Sequence, residues 1–233
     1  MSNISGKNKS LAFVILIGGK SKRFGSDKGL YKFNGKPLIM YQLEILSRFN
    51  HSIFVVAHSQ KQMQEYVNEI DFRKITAFIL DDHNLSQDKN IRSPMIGIYS
   101  AFKELDKLGY DKAFTISCDM PLIKYEIIEF LIKKAEDYDF CIPKWDNGYL
   151  EPLFAVYPIK KTLFKIKVNL KNKTYKLLNI IDKNWKSNYI SVEKELQSLD
   201  ADLLNFININ NHVDIENLMQ IEQNKNSKNR RNA

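Results

Sequence analysis

The sequence predicts an α/β fold built on a mostly parallel β-sheet. Short apolar runs alternate along the chain with longer amphipathic stretches, which is the pattern of parallel strands joined by crossover helices. The runs are rich in Ile, Val and Phe without strict polar alternation, as expected for strands covered by helices on both faces. The chain has 233 residues, of which 44% are hydrophobic and 12% aromatic. This length and composition predict a substantial core and exclude a peptide-sized or disordered protein.

The apolar runs and the amphipathic stretches give the order of the elements in the first two thirds of the chain. Strands are expected at residues 11–17, 52–57, 75–80, 112–117, 138–142 and 152–157. Helices are expected at residues 37–48, 59–70, 95–108 and 123–136. Pro37 and Pro94 stand near two of the helix starts, where a missing N–H group is harmless.

The composition changes after about residue 158. Residues 160–186 hold nine lysines and one acid, and broken helices are expected around residues 163–168 and 175–181. Residues 206–210 alternate apolar and polar side chains and predict a short strand, which feeds a final helix at residues 212–222. We therefore expect a single domain over residues 11–222. A flexible N-terminus at residues 1–10 precedes it, and a basic flexible tail at residues 223–233 follows it.

The net charge of +8 is concentrated at the two ends of the chain. Residues 1–10 carry two of the positive charges and residues 223–233 carry four, which leaves +2 for residues 11–222. Asn-, Ser- and Lys-rich ends are expected to be solvated. The charge therefore does not predict nucleic-acid binding.

The cysteine count and the length of the apolar runs indicate where in the cell the protein is expected. Cys118 and Cys141 can form neither a disulfide framework nor a four-ligand zinc site, so we expect both to be reduced in the cytoplasm. The longest purely apolar run, residues 11–17, is shorter than the about 20 residues that span a bilayer. No membrane association is expected.

A basic loop with two glycines follows the first predicted strand. Gly18 and Gly19 allow a sharp turn and leave main-chain N–H groups exposed, which is how loops wrap phosphates. The cations that follow are Lys20, Lys22, Arg23 and Lys28. The spacing fits neither a Walker A loop nor a dinucleotide fingerprint. The loop indicates a polyanion site, and a solvated basic turn is the alternative.

The same loop resembles the opening of the molybdenum cofactor guanylyltransferases, the MobA family. Residues 16–28 read L-I-G-G-K-S-K-R-F-G-S-D-K, and G-K-P-L follows at residues 35–38. The family pattern is L-A-G-G-x-S-x-R-M-G-x-D-K and then G-x-P-L, so Ile17 and Phe24 depart from it. Later blocks also resemble the family: C-D-M-P at 118–121, E-P-L-F-A-V-Y at 151–157 and F-I-N-I-N at 206–210. Ser93 replaces the glycine of a further block, G-P-L-x-G.

The resemblance implies a fold and a nucleotide site. The fold would be a Rossmann-like three-layer α/β/α nucleotidyltransferase fold, with the nucleotide at the carboxyl ends of the strands. Residues 11–145 would form its nucleotide-binding half and residues 146–222 its acceptor-binding half. The implied GTP-binding residues in the loop are Leu16, Ile17, Gly18, Gly19 and Lys28. The implied catalytic residues are Arg23, Lys28 and Asp119.

Asp119 is the candidate metal ligand. It follows the predicted strand at residues 112–117, at the edge where open α/β sheets bind ligands. A carboxylate there can bind Mg²⁺ while phosphates and water complete the octahedron, although Asp before Met-Pro is also good helix-capping chemistry. The resemblance implies that Asp119 binds both Mg²⁺ and the nucleotide.

An acid at the end of the predicted strand 75–80 is the candidate base reader. The resemblance implies that it accepts hydrogen bonds from guanine N1 and N2. Another base would leave a buried carboxylate unpaired there. Asp82 takes this role, with Asp81 as the second choice. Two adjacent acids in a loop are otherwise solvated.

The acceptor side of the site rests on weaker signals. The resemblance places Asn208 and Asn210 on the pterin side, and turn or cap asparagines are the alternative. A cationic wall could gather two anionic substrates, with Lys171 and Lys173 as candidates, although a solvated lysine-rich helix explains the same composition.

Taken together, the resemblance implies transfer of GMP from GTP to Mo-molybdopterin, with Mg²⁺ as cofactor. The alternatives are CTP or another NTP used on molybdopterin or on a sugar phosphate, and a non-catalytic carrier of the pterin cofactor. Contact with molybdoenzymes or with cofactor-insertion proteins is compatible with each of these functions.

Overall fold

A seven-stranded sheet forms the centre of the protein. The computed structural model describes residues 9–17, 27–82, 93–211 and 213–221. Its strands, in chain order, are β1 (Lys9–Leu16), β2 (Lys32–Phe33), β3 (Lys36–Pro37), β4 (Ser52–Ala57), β5 (Ala77–Leu80), β6 (Tyr110–Ser117), β7 (Phe140–Lys144), β8 (Phe154–Pro158) and β9 (Ser187–Ser191). Strands β2 and β3 form a separate short hairpin, and the large sheet has the order β5-β4-β1-β6-β8-β7-β9.

The large sheet is parallel except for β8. Strand β1 pairs in parallel with β4 and β6, and β4 pairs in parallel with β5. Strand β8 runs antiparallel to both β6 and β7, and β7 pairs in parallel with β9. The carboxyl ends of six strands therefore lie at one edge of the sheet, together with the amino end of β8.

Helices cover the sheet on both faces and make three layers. The helices are α1 (Leu38–Leu46), α2 (Gln60–Glu69), α3 (Pro94–Lys107), α4 (Tyr125–Lys134), α5 (Ile159–Lys171) and α6 at residues 213–221. Helices α1, α2 and α4 share one core cluster with one set of strand side chains, and α3 and α5 share another with the opposite set. Side chains along β1 enter the two clusters alternately, with Phe13 and Ile15 on the first face and Ala12 and Val14 on the second. Both faces of β1 are thus buried, which explains its unbroken apolar sequence.

A third, smaller cluster lies beside the hairpin. It contains Phe33, Leu38 and Ile209 together with Ile215 and Leu218 of α6. This cluster holds the segment before α6 against the start of α1. None of the helices among the described residues combines the length and the apolar character needed to cross a membrane.

The α/β prediction is confirmed, and most predicted elements match the structure. The strand predicted at residues 52–57 coincides with β4, and α1 to α4 lie within or close to their predicted ranges. Residues 163–168 belong to one continuous helix, α5, which is longer than expected. Within residues 175–181 the only regular element is a short 3-10 helix, Leu177–Ile180.

One expectation for the second half was wrong, and one strand was not predicted. Residues 206–210 do not form a strand: a 3-10 helix, Leu204–Phe206, is followed by extended chain that pairs with no neighbouring strand. The side chains nevertheless alternate in burial, as the pattern predicts: Ile209 is buried, while Asn208 and Asn210 are exposed. Strand β9 was missed because it is a short, half-exposed edge strand with polar side chains.

Candidate active site

The candidate site lies at the edge where the parallel strands end. Chain segments that follow β1, β5 and β6 bring Ile17, Asp81 and Asp119 to this edge. Main-chain hydrogen bonds extend the pairing beyond the strands: Cys118 N–H donates to the Leu16 carbonyl at 3.1 Å, and Asp81 N–H donates to the Ala57 carbonyl at 2.9 Å. The predicted site residues at the strand ends are therefore held by the sheet itself.

Lys28, Asp119 and Asn210 come together from three distant parts of the chain. The Lys28 Nζ atom lies 2.8 Å from Asn210 Oδ1 and 3.5 Å from Asp119 Oδ2. The side chains of Lys28 and Asp119 are each about one-fifth exposed, so the ion pair is partly accessible to solvent and does not lie in the core. An ammonium, a carboxylate and an amide oxygen that lie together at an accessible place can bind a metal triphosphate.

The turn that carries Asp119 is fixed from beneath by α1. Gln42, which is fully buried, donates from Nε2 to the carbonyls of Ser117 and Met120 at 2.7 and 2.8 Å. Ile209 N–H donates to the Asp119 carbonyl at 2.8 Å, which ties the segment before α6 to the same turn. The side chain of Asp119 thus projects from a turn whose main chain is held on two sides.

The carboxylate of Asp119 fits a divalent cation. Its Oδ1 atom is buried and has no hydrogen-bond partner among the described residues. A buried carboxylate oxygen without a donor is costly, and a metal ion would satisfy it. Within the described ranges no group of three His, Cys, Asp or Glu side chains forms a metal cage. A cation at Asp119 would therefore need ligands from phosphates and water, which is the coordination that Mg²⁺ prefers in nucleotide sites.

Helix α2 holds the residue that precedes Lys28. The Asp27 carboxylate accepts from Gly29 N–H at 3.1 Å and caps the 3-10 helix Lys28–Leu30. The same carboxylate accepts hydrogen bonds from Gln62 Nε2 and from the Tyr66 hydroxyl. Burial raises the pKa of Tyr66 well above its usual value, and the nearby charges of Cys118 and Asp27 add to the rise. The phenol therefore remains a neutral donor at every physiological pH.

Asp81 and Asp82 point to different surroundings. Asp82 N–H donates to Ser100 Oγ at 2.8 Å, and its Oδ2 atom accepts from Lys103 Nζ at 3.1 Å, so Asp82 is paired with α3. The buried Oδ1 atom of Asp81 faces the second turn of α3, where a Cβ built on Gly97 would lie 3.3 Å from it and 3.0 Å from a Leu16 methyl. The two carboxylates therefore have different surroundings, and the role of either as the base reader stays a prediction.

Glu151 is a site residue that the sequence prediction did not include. Burial raises the pKa of the Glu151 carboxyl, the hydrogen bond from Trp145 Nε1 at 2.7 Å opposes the rise, and the charge of Asp119 adds to it. Glu151 is thus a partly buried acid, three residues before β8, whose pKa responds to the charge of Asp119. Its position just before the apolar run of β8, in the E-P-L-F-A-V-Y block, was a signal that could have identified it.

The predicted acceptor residues are separated in the structure. Asn210 lies at Lys28, whereas Asn208 donates from Nδ2 to the Phe206 carbonyl at 3.2 Å. Lys173 follows the end of α5, with a left-handed main chain of φ 56°, and no described contact joins it to Asn210. The role of Lys173 and Asn208 stays a prediction.

Ser93 begins α3 without strain. Its φ of −134° is ordinary extended main chain, and its Oγ atom accepts from Met95 N–H at 3.2 Å. The serine that replaces the family's glycine is therefore compatible with the start of this helix. The predicted loop residues Gly18, Gly19 and Arg23 lie outside the described residues.

Both cysteines are buried and free. Burial raises the pKa of Cys118 well above its usual value, and Asp119 and Asp27 add to the rise. Burial likewise raises the pKa of Cys141 to about 12. Neither thiol is suited to act as a nucleophile, because the reactive form is the thiolate.

Known proteins with similar sequences and structures share this architecture. The chain matches the model of the MobA-like NTP transferase domain over residues 13–183. It is 36% identical over 146 residues to a probable molybdenum cofactor guanylyltransferase of Thermococcus gammatolerans, over 62% of this chain and 68% of that protein. A protein of the same description from Thermococcus kodakarensis is 30% identical over 207 residues, which is 88% of this chain and 92% of that protein.

A solved structure extends the likeness to three dimensions. The crystal structure of molybdopterin-guanine dinucleotide biosynthesis protein A from Archaeoglobus fulgidus superposes with a TM-score of 0.73 at 28% identity. The superposition covers 91% of this chain and 99% of the other. The similarity thus extends beyond residue 183, where the match to the domain model ends.

Proposed function

The chain belongs to the MobA-like NTP transferase family, and from this premise we propose that it transfers GMP from GTP to Mo-molybdopterin. The products are the guanine dinucleotide form of the cofactor and pyrophosphate. The observation that carries the proposal is the cluster of Lys28, Asp119 and Asn210 at the carboxyl edge of the sheet. These residues belong to three of the sequence blocks that resemble the family.

The reaction needs no protein nucleophile. An oxygen of the acceptor's terminal phosphate attacks the α-phosphorus of GTP, and the bond from that phosphorus to the oxygen bridging to the β-phosphate breaks. The electron pair of the broken bond leaves with pyrophosphate, and GMP remains joined to the acceptor through a new phosphate anhydride. The acceptor oxygen is already anionic, so catalysis depends on positioning and charge neutralisation.

Lys28 supplies the positive charge in this scheme. Its ammonium group already meets a carboxylate and an amide oxygen, so an incoming phosphate finds a fixed cation and not a mobile side chain. Asn210, which the sequence assigned to the acceptor side, lies close enough to contact the same phosphates. Lys28 is accessible to a substrate, since about one-fifth of its side chain is exposed.

A divalent metal is part of the family's chemistry, and Mg²⁺ is the ion that we propose for this site. Asp119 would bind it through the buried Oδ1 atom that has no donor among the described residues. When bound, the ion would neutralise charge on the triphosphate and on the departing pyrophosphate. The main chain of Ser117 and Met120, held by Gln42, keeps the Asp119 carboxylate in place for this role.

Recognition of guanine falls to the acids at the end of β5. Asp82 was the first sequence assignment, but its ion pair with Lys103 directs its carboxylate to α3. Asp81 Oδ1 faces Gly97 on α3 instead of Lys103, so we assign to Asp81 the two hydrogen bonds to guanine N1 and N2. The test is to replace each with asparagine and compare turnover with all four NTPs. Asp81→Asn should relax base discrimination and Asp82→Asn should not; the reverse result would restore Asp82.

The decisive experiment is pyrophosphate release with each nucleotide in turn. Purified protein, Mg²⁺ and a molybdopterin source should release pyrophosphate with GTP and far less with ATP, CTP or UTP. Asp119→Ala should abolish the release. Asp111→Ala is the matched control, because Asp111 is an exposed acid at the opposite end of the same strand. Equal release with CTP, or release that survives Asp119→Ala, would contradict the proposal.

A further inference from the structure

Gln62 is a buried amide on the first turn of α2 whose hydrogen bonds connect three separate segments. The residue is 2% exposed. Its Nε2 atom donates to the Ile17 carbonyl at 2.8 Å and to the Asp27 carboxylate. Its Oε1 atom accepts from His58 N–H at 2.9 Å and lies 2.7 Å from His58 Nδ1.

The direction of this amide is fixed by its partners. The Ile17 carbonyl and the Asp27 carboxylate can only accept, so the NH₂ end of Gln62 must face them. The His58 main-chain N–H can only donate, so the oxygen must face it. A flipped amide would place its oxygen against the Ile17 carbonyl and against the Asp27 carboxylate, which are both acceptors. Because Gln62 Oε1 can only accept, the short contact to His58 Nδ1 also requires a proton on that nitrogen.

The residues that Gln62 joins frame the nucleotide side of the site. Ile17 ends the chain segment of β1 and Asp27 begins the segment that carries Lys28, with residues 18–26 between them in the sequence. Tyr66, one helical turn after Gln62, donates to the same Asp27 carboxylate. Two side chains of α2 thus fix the main chain immediately before Lys28.

Gln62 is a polar residue on the buried face of α2, where its neighbours Met63 and Tyr66 pack against the core. An apolar side chain at position 62 would leave the Ile17 carbonyl and the Asp27 carboxylate without this donor, and the His58 N–H group without this acceptor. An amide in this place is favourable only because all its hydrogen bonds are made. Its specific effect is to set the distance between Ile17 and Asp27, and hence the place of the Lys28 ammonium beside Asp119.

We infer that Gln62 is a positioning residue of the nucleotide site, which holds Asp27 against the end of β1 so that Lys28 meets the triphosphate without reorganisation. The inference rests on the proposed nucleotidyltransferase function. Gln62 does not touch the reacting atoms. It acts through Asp27 and Lys28.

The test is Gln62→Glu, which keeps the shape and removes both amide donors. The new carboxylate would face the Asp27 carboxylate and the Ile17 carbonyl, so both contacts become repulsive. Loss of a buried hydrogen bond to a charged group changes an equilibrium constant by a factor of about ten or more. We therefore expect the dissociation constant of GTP–Mg²⁺, measured by direct titration, and the KM for GTP each to rise about tenfold or more.

Two matched variants separate positioning from stability. Gln64→Glu makes the same change on the exposed face of the same helix. Asn169→Asp converts another buried amide to a carboxylate on α5, where its Nδ2 atom donates to the Asn179 carbonyl at 2.9 Å, away from the site. Neither variant should change GTP affinity, and Asn169→Asp should lower the melting temperature as much as Gln62→Glu does.

A rescue variant tests the mechanism directly. Asp27→Asn combined with Gln62→Glu exchanges the donor and the acceptor, so an amide at 27 can donate to the carboxylate at 62. This double variant should bind GTP more tightly than Gln62→Glu alone. If Gln62→Glu does not fold, Gln62→Met takes its place, because it removes the same donors without adding charge.

The outcomes distinguish this inference from the proposed function. If the wild-type protein binds another NTP and not GTP, the base assignment fails, and the same variants are then measured with that nucleotide. If the wild type binds its nucleotide and Gln62→Glu, or Gln62→Met in its place, binds it equally well, Gln62 is not a positioning residue. Equal loss of affinity in Asn169→Asp would also overturn the inference, since the effect would then follow from stability alone.

Discussion

Replacing Gly29 with alanine tests the contact between the segment that carries Lys28 and helix α2. A Cβ atom built on Gly29 would lie 2.1 Å from the Tyr66 hydroxyl oxygen and 3.1 Å from its Cζ atom. The main chain and the ring must separate by about 0.9 Å to reach even 3.0 Å, a distance below which real Cβ contacts are essentially never found. Tyr66 is fully buried, so the ring has no free space into which it can turn.

The cost of Gly29→Ala follows from these contacts. Overpacking a buried position costs about 1–3 kcal/mol. A shift of this size also breaks the hydrogen bond from Tyr66 to the Asp27 carboxylate, which is worth about 1.5–3 kcal/mol because its acceptor is charged. We expect a loss of roughly 3–5 kcal/mol in the free energy of unfolding, or a melting temperature lower by about 10 °C for a chain of this length.

The assay is a double-mutant cycle followed by thermal unfolding. Tyr66→Phe removes the oxygen that meets the new Cβ atom, so Gly29→Ala should cost much less in the Tyr66→Phe background than in the wild type. Gly35→Ala is the control, since a Cβ there meets no atom within 4 Å, although its φ of 76° adds strain. An unchanged melting temperature in Gly29→Ala, or the same loss in both backgrounds, would refute the reasoning.

Three further predictions concern the site itself. Lys28→Ala removes the cation that meets Asp119 and Asn210, so GTP affinity and turnover should fall together by about tenfold or more, measured by pyrophosphate release; unchanged rates would contradict the role of Lys28. Asp119→Asn should lower turnover by about 100-fold or more at saturating Mg²⁺. The melting temperature should stay the same or rise, because the substitution removes the charge from a buried oxygen that has no donor. Full activity of this variant would exclude a metal at Asp119. The pKa of Glu151 is raised in the folded protein, so its stabilising contribution is complete below its unfolded value of 4.5 and is lost as the pH rises through the folded value. Glu151→Gln, which keeps an acceptor for Trp145, should therefore raise the melting temperature at about pH 7.5 and not at about pH 4; a gain that is the same at both pH values would contradict this pKa direction.

The central part of the fold could be predicted because its signals are local. The run at residues 11–17 is apolar on both faces, and both faces of β1 are buried in the structure. Strand β4 lies at the predicted residues for the same reason. Helix α3 begins where Ser93 and Pro94 provide a cap and a first turn without a lost hydrogen bond.

The second half was harder because its elements depend on what they contact. Residues 206–210 have the alternation of a strand, but the structure offers Ile209 one main-chain acceptor, the Asp119 carbonyl, and a small apolar cluster in place of a neighbouring strand. Strand β9 has little pattern of its own and forms because β7 presents an open edge to it. Pattern alone does not distinguish these cases.

Some residues of the site could likewise be predicted from the sequence, and others could not. The resemblance and the strand ends selected Lys28 and Asp119, and the structure places the two side chains 3.5 Å apart. No pattern in the sequence indicated that Gln62 would hold Asp27, since a single glutamine on an amphipathic helix looks like a solvated residue. The surroundings of Asp82 likewise depend on Lys103, which is distant in sequence and donates to its carboxylate.

The sequence by itself determined the class of the protein: parallel strands buried on both faces, a basic segment with two glycines after the first strand, and acids at the ends of two others. These features depend on composition and spacing within a few residues, where hydrophobic burial and main-chain geometry act. Only the tertiary structure decided which polar groups meet, with Gln62 at Asp27, Asn210 at Lys28 and Lys103 at Asp82. Hydrogen bonds and ion pairs depend on distance and direction to within a few tenths of an ångström, and those are fixed only when all layers of the fold pack together.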